Sequence, residues 1–231
     1  MIVSVMKMIK PILFNTQMVQ AILDGRKTTT RRIVKGNIND LDLIGTGSSR
    51  CNDTFDTTLF GKLDKEKVWN SDVKERVKAP YMPGDILYVR ETWFEGDILD
   101  SNEDIVERNI VLYRTDDLEK HDIEEIKWRP SIHMPKKLAR IFLKVTGVTV
   151  EKLQDITIDG CLDEGVSKKI RTQMGYAVEE SEESFNLIQA KDTFRKIWSS
   201  TLKKDQCEKY GWIANPYVWV ISFERCEKPN E

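Results

Sequence analysis

The stretch Asp24-Gly25-Arg26-Lys27-Thr28-Thr29-Thr30-Arg31-Arg32 is the part of the sequence that decides the fold. Apolar residues at helical spacing over 16–23 predict a short helix that Asn15 or Thr16 caps and Gly25 ends. The β-branched residues after it predict a strand over 28–34. The chain therefore turns from a helix into a strand, and its backbone holds four cations and three hydroxyls close together.

This cluster suits an anionic or amide-bearing ligand. Lys27 lies beside Arg26, Arg31 and Arg32, and neighbouring cations favour the neutral form of an amine, which can then activate the hydroxyl of Thr30 as a nucleophile. The alternative is a basic turn that only supports its own fold, because cations after a helix C-terminus stabilise the helix dipole and threonine is a good strand residue.

Composition narrows the class of protein. The chain has 231 residues, of which 40% are hydrophobic, and its net charge is -2 with a pI near 5.9. This balance argues against coating nucleic acid by bulk charge, but it is compatible with a local basic pocket. No apolar run reaches the roughly 20 residues needed to span a membrane. The four cysteines lack paired spacing, which predicts reduced thiols in the cytoplasm. The sequence implies no metal or organic cofactor.

The remaining pattern predicts many strands and few helices. Further strands are predicted over 86–93, 110–114, 138–150 and 217–224, and helices over 157–164 and 185–202. A glycine- and charge-rich stretch within 36–79 is predicted to be an irregular insertion, with a second insertion at 167–183. Strands separated by short turns indicate the α+β class, with one domain over 8–228 that forms a small closed β-barrel decorated by helices.

Several segments resemble those of the ASCH domain, a relative of the PUA-like RNA-binding barrels. The matching pieces are Gly25, Lys27 and Arg32 in a Gly-x-Lys-x-x-x-x-Arg pattern, the Gly84-Asp85 turn, the segment 153–156, the helix that ends at Glu164-Gly165, and the final hydrophobic strand. Phage-type members share the stretches at 88–93 and 130–135, which indicates a phage or prophage origin.

The resemblance implies a barrel pocket that binds RNA or a modified nucleoside. One bacterial member of the family is an amidohydrolase that removes the acetyl group from N(4)-acetylcytidine. Its lysine, threonine and glutamate correspond here to Lys27, Thr30 and Glu164, which are expected to converge on one cavity. Many members carry glutamate where this chain has Thr30.

A second group of candidates lies later in the chain. Trp128 beside Arg129 can stack a base and hold a phosphate, and the nearby prolines fix a loop that contains Ser131 and His133. Arg90, on a predicted strand, needs a carboxylate or a ligand if it is buried. The alternatives are that Trp128 belongs to the core, that His133 has a structural role, and that Arg90 forms an ordinary ion pair.

Three functions follow from these observations. The first is binding of RNA or a nucleotide by a pocket that contains Lys27, Arg26, Arg31 and Arg32. The second is hydrolysis of an amide on a modified nucleoside. The third is a phage protein that only contacts other proteins through its insertions. The sequence leaves the oligomeric state open.

Overall fold

The computed structural model describes residues 8–38, 40–47, 56–62, 72–99, 105–116, 126–167, 169–171, 177–179 and 187–229. Parts of both predicted insertions, including 48–55, 63–71 and 172–176, lie outside the described residues. The strands are β1 (Ile9–Leu13), β2 (Thr29–Ile33), β3 (Asp42–Gly47), β4 (Thr57–Lys62), β5 (Asp72–Lys78), β6 (Ile86–Arg90), β7 (Trp93–Leu99), β8 (Ile105–Tyr113), β9 (Phe142–Lys152), β10 (Lys169–Arg171), β11 (Ala177–Glu179) and β12 (Tyr217–Cys226). The helices are α1 (Thr16–Leu23), α2 (Ile158–Asp163), α3 (Leu187–Thr201) and α4 (Cys207–Tyr210).

The strands form one five-stranded sheet of order β1-β6-β9-β12-β2, the three-stranded sheet β3-β4-β5, and the hairpins β7-β8 and β10-β11. The predicted α+β class is confirmed. The closed barrel is not observed, because none of the sheets built from the described residues closes on itself and the largest ends in two different edge strands, β1 and β2.

The chain folds into two compact units, each built from segments that are distant in sequence. The first unit comprises Met1–Lys27, Gly84–Lys144 and Phe223–Glu231, and the second comprises Thr28–Pro83 and Val145–Ser222. The strands β9 and β12 supply residues to both.

The first unit contains α1, whose ends match the sequence pattern. Asn15 caps the helix by accepting a hydrogen bond from the Met18 amide at 2.9 Å. Gly25 follows the helix with φ of +74°, a left-handed conformation that glycine adopts without steric cost. In this unit β1 pairs in parallel with β6, and β6 pairs antiparallel with the start of β9. Its core gathers around Trp93 and Phe142.

The second unit holds β2 antiparallel to β12, with Thr30 opposite Ile221 and Arg31 opposite Val220. The helices α2 and α3 pack on each other in a core that includes Cys161 and Phe194. Thr157 caps α2 by accepting a hydrogen bond from the Gly160 amide at 3.0 Å, as the sequence predicts.

The irregular structure predicted for 36–79 is not observed in the described residues, because β3, β4 and β5 form a regular antiparallel sheet there. That this segment is an insertion stays a prediction. Its sequence is hard to recognise as strand. The edge strand β5 is mostly charged, and glycines interrupt β3 and β4. Phe60 supplies the anchor, since it is fully buried and its ring meets the edge of Tyr217 at a centroid distance of 5.1 Å.

Candidate functional site

Strand β2 carries the polar residues that the sequence singled out. Side chains alternate along a strand, so Thr29 and Arg31 lie on one face of the sheet and Thr30 and Arg32 on the other. Thr29, Thr30 and Arg31 are buried. A buried strand with this many polar groups needs internal partners or a ligand for them.

Arg31 has internal partners. Its Nε donates to Glu151 Oε1 at 2.8 Å, and Nη1 lies 3.3 Å from Glu164 Oε1 and 3.4 Å from the Gly160 carbonyl oxygen. The guanidinium also lies over the ring of Phe194, 5.8 Å from its centroid. Only 4% of the Arg31 side chain is exposed. Its contacts connect β2 with β9, α2 and α3, so Arg31 stabilises the fold and positions Glu164.

Glu164 also affects the pKa of Arg32. Burial lowers the pKa of Arg32 below its ordinary value, and the negative charge of Glu164, joined at high pH by that of an ionised Tyr81, opposes that shift. Glu164 therefore influences two guanidiniums, one on each face of β2.

Two threonines near the start of β2 differ in their bonding. Thr28 donates from its hydroxyl to Asp163 Oδ1 at 3.0 Å. The hydroxyl of Thr29 is buried and has no hydrogen-bond partner among the described residues. An orphaned buried hydroxyl is uncommon in folded proteins and marks a position where a ligand or a water molecule can bind.

Lys27 is the last residue of the first unit's N-terminal segment and is only 2% exposed. Its amide donates to the Ala21 carbonyl oxygen at 3.0 Å, and its Nζ lies 5.7 Å from the centre of the Phe14 ring. Arg26, by contrast, is exposed and pairs with Asp24 at 2.8 Å. The three residues assigned to catalysis, Lys27, Thr30 and Glu164, are thus all buried, and their convergence on one cavity stays a prediction.

The second group of candidates forms a loop of the first unit. Arg90 donates from Nε to the Met134 carbonyl oxygen at 2.8 Å and from Nη2 to that of Ile132. The guanidinium therefore holds the loop in place. This use of Arg90 was not foreseen from the sequence, which offered a ligand or an ion pair.

Tryptophan and arginine side chains stack beside this loop. Arg114 lies over the ring of Trp128 at 5.1 Å, and Arg129 lies over the ring of Trp93 at 4.9 Å. The buried indole nitrogens of Trp128 and Trp93 have no hydrogen-bond partner among the described residues. On the same loop His133 is exposed and Ser131 is half-buried.

Sequence reasoning missed one internal network of the first unit. Glu91 is buried and accepts two hydrogen bonds from Arg140, both at 3.0 Å, and Arg140 also reaches Asp116 at 2.6 Å. Glu91 stands next to Arg90 in the sequence, but nothing local indicated that its partner lies 49 residues away.

Neither a metal site nor a membrane span emerges from the described residues. No group of three or more His, Cys, Asp or Glu residues there is arranged to hold a metal ion. No helix in that part of the chain is long and apolar enough to cross a membrane.

The comparisons with known proteins give no identification. No family model matches the chain, and no curated protein or solved structure matches it. The ASCH resemblance therefore remains an expectation from the sequence.

Proposed function

We propose that this protein binds RNA in the cytoplasm, with a basic surface of the first unit holding the phosphates of a single strand. The observation that carries the proposal is the segment 127–140, which contains five lysines and arginines and no acidic residue in a chain of net charge -2. We call this segment the basic loop. Such a local concentration of cations supplies the sequence-independent part of nucleic-acid affinity.

Most of these cations point outward. The side chains of Arg129 and Lys137 are 51% and 74% exposed, and their shared partner Glu95 is distant, at 3.9 and 4.0 Å. Arg140 differs from these two, because Glu91 and Asp116 bind it. Arg129 and Lys137 are thus available to phosphates at little cost in broken ion pairs.

The loop is held in shape before any ligand arrives. Arg90 binds two of its carbonyl groups, and short 3-10 turns at Ser131–His133 and Lys136–Leu138 each follow a proline and fix the backbone. A preorganised loop loses less conformational entropy on binding. Trp128 and His133 add aromatic side chains of the kind on which unpaired bases stack.

The predicted nucleotide pocket remains part of this proposal. The PUA-like assignment of the fold is proposed on the same sequence resemblance.

The test is fluorescence anisotropy with a labelled 12-nucleotide single-stranded RNA, titrated at several salt concentrations. The variant Arg129→Glu/Lys137→Glu is expected to bind at least about tenfold more weakly, and its salt dependence should fall by about 1.4 log units per log unit of salt.

A closely matched control lies on α3. Arg195 and Lys196 are 51% and 73% exposed and share the carboxylate of Asp192, so Arg195→Glu/Lys196→Glu changes the net charge equally. This control is expected to bind RNA nearly as well as the unaltered chain. Equal weakening by both variants, or no binding by the unaltered chain, would contradict the proposal.

Amide hydrolysis is a second candidate, favoured by the burial of both Lys27 and Thr30 to 2% exposure or less. Release of cytidine from N(4)-acetylcytidine, followed by mass spectrometry, should be abolished by Lys27→Met and retained by Arg26→Met. Turnover by Lys27→Met, or none by the unaltered chain, would exclude this role.

A further inference from the structure

The second unit contains a cavity of about 760 Å³ that none of the residues predicted as functional lines. It lies between the segment that follows β2, up to Asp42, and the segment 208–217 that leads into β12. Its volume is within the range of about 300 to 1,000 Å³ that is typical of small-molecule sites.

The inner wall of the cavity is apolar and firmly held. Val34 and Ile38 are buried there. Tyr217 is fixed at both ends, since its hydroxyl accepts a hydrogen bond from the Leu43 amide at 3.1 Å and its ring packs on Phe60. The wall thus has a fixed shape.

The outer part of the cavity is charged, with both signs present. Asp40, Asp42 and Glu208 lie at its lining, and none of them forms an ion pair with a described residue. Two lysines of the lining carry the opposite charge. Lys152 Nζ lies 3.8 Å from the ring centre of Tyr217, and Lys209 Nζ lies 5.3 Å from that of Tyr210.

Two backbone features fix the polar groups of this lining. Asp40 and Asn215 have φ of +63° and +45°, a left-handed conformation that aspartate and asparagine tolerate better than most residues. The Asn215 side chain accepts a hydrogen bond from the Gln154 amide at 2.8 Å, which anchors the 208–217 segment.

We propose that this cavity binds an uncharged ligand built on a sugar ring with neighbouring hydroxyls. Three carboxylates would repel a phosphate and two lysines would repel a polyamine, so the mixed lining opposes a strongly charged ligand of either sign. Hydroxyls both donate and accept, so one sugar can satisfy carboxylates, which only accept, and ammonium groups, which only donate. Carboxylates binding ribose hydroxyls are a recurrent arrangement.

Such a sugar ring can come from a free sugar or from a nucleoside, and the experiment separates the two. Saturation-transfer NMR and calorimetry on the full chain would use ribose, glucose, cytidine and cytidine 5′-monophosphate as probes. Binding of a sugar or of cytidine is expected, with saturation of the sugar C–H protons. Tighter binding of cytidine than of ribose would identify a nucleoside, and equal binding would identify a free sugar.

Asp42→Asn keeps the shape of the side chain and removes its charge, and it should weaken binding at least about tenfold, the effect of losing a charge-assisted hydrogen bond. Asp159→Asn, an aspartate on α2 that does not line the cavity, is the matched control and should bind normally. Absence of binding by every probe, preference for the monophosphate, or equal binding by Asp42→Asn and the control would overturn the proposal.

This inference stands apart from RNA binding. Asp42→Asn should leave RNA affinity unchanged, and Arg129→Glu/Lys137→Glu should leave sugar affinity unchanged. Failure of one activity with the other intact therefore overturns only the corresponding proposal.

Discussion

Replacement of Arg31 by methionine tests whether the charge cluster on β2 anchors the second unit. Methionine keeps the length of the side chain and its contact with Phe194, but it removes the guanidinium that binds Glu151 and Glu164. Breaking a buried ion pair costs about 3–5 kcal/mol. Glu151 is 29% exposed and can regain water, so the expected loss lies near the lower end, at about 3 kcal/mol.

Urea unfolding followed by circular dichroism measures this loss. A series at pH 7.5 compares the unaltered chain with each variant.

Two further variants make the prediction specific. Arg31→Met/Glu164→Gln should recover part of the stability at pH 7.5, because the remaining carboxamide carries no charge to desolvate. Arg195→Met on α3 removes an exposed arginine and should change the free energy of unfolding by less than about 1 kcal/mol. A loss below about 1 kcal/mol for Arg31→Met, or an equal loss in the double variant, would refute the anchoring role.

Two other predictions concern the second unit. Burial raises the pKa of the Cys161 thiol from 9.0 to about 11, so alkylation at pH 9 should reach exposed Cys207 quickly and Cys161 only after unfolding. The stabilisation linked to this thiol is complete below pH 9 and is lost as the pH rises through about 11. A pH series of urea unfolding measures this loss. Rapid alkylation of Cys161 in the native protein would contradict the prediction. Asn215→Ala should destabilise the chain by about 2 kcal/mol and Asn215→Gly by only about 1 kcal/mol. Both variants lose the hydrogen bond to Gln154, but glycine tolerates the positive φ at this position. Equal losses of stability in thermal unfolding would be evidence against backbone strain.

The sequence predicted elements whose ends are marked locally. Asn15 and Thr157 cap α1 and α2, and Gly25 and Gly165 follow them with positive φ, so each signal lies within a few residues of its effect. The hydrophobic strand predicted at 217–224 is observed as β12, Tyr217–Cys226. The strands β3, β4 and β5 were missed because their burial depends on sheet neighbours and not on their own composition.

The roles of the polar residues were harder to predict, because their partners are distant in sequence. Arg31 meets Glu151 and Glu164 across 120 and 133 residues. The cavity in the second unit was overlooked for the same reason, since Asp42 and Tyr210 come together only in the folded unit. The residue types indicated which side chains are able to bind a ligand or react, but only the fold shows which of them have internal partners.

The arginines of this chain can be ordered by their internal acceptors. Arg31 and Arg140 each bind two carboxylates, and Arg90 binds two carbonyl groups, so a ligand would have to break these bonds before it used those guanidiniums. Arg129 has one distant carboxylate, 3.9 Å away, one backbone contact at 3.3 Å, and a stacking contact with the ring of Trp93 that leaves its N–H groups free to donate. A phosphate therefore displaces little at Arg129, and because Arg90 holds the loop that carries it, Arg90→Met should weaken RNA binding without removing any cation from the basic loop.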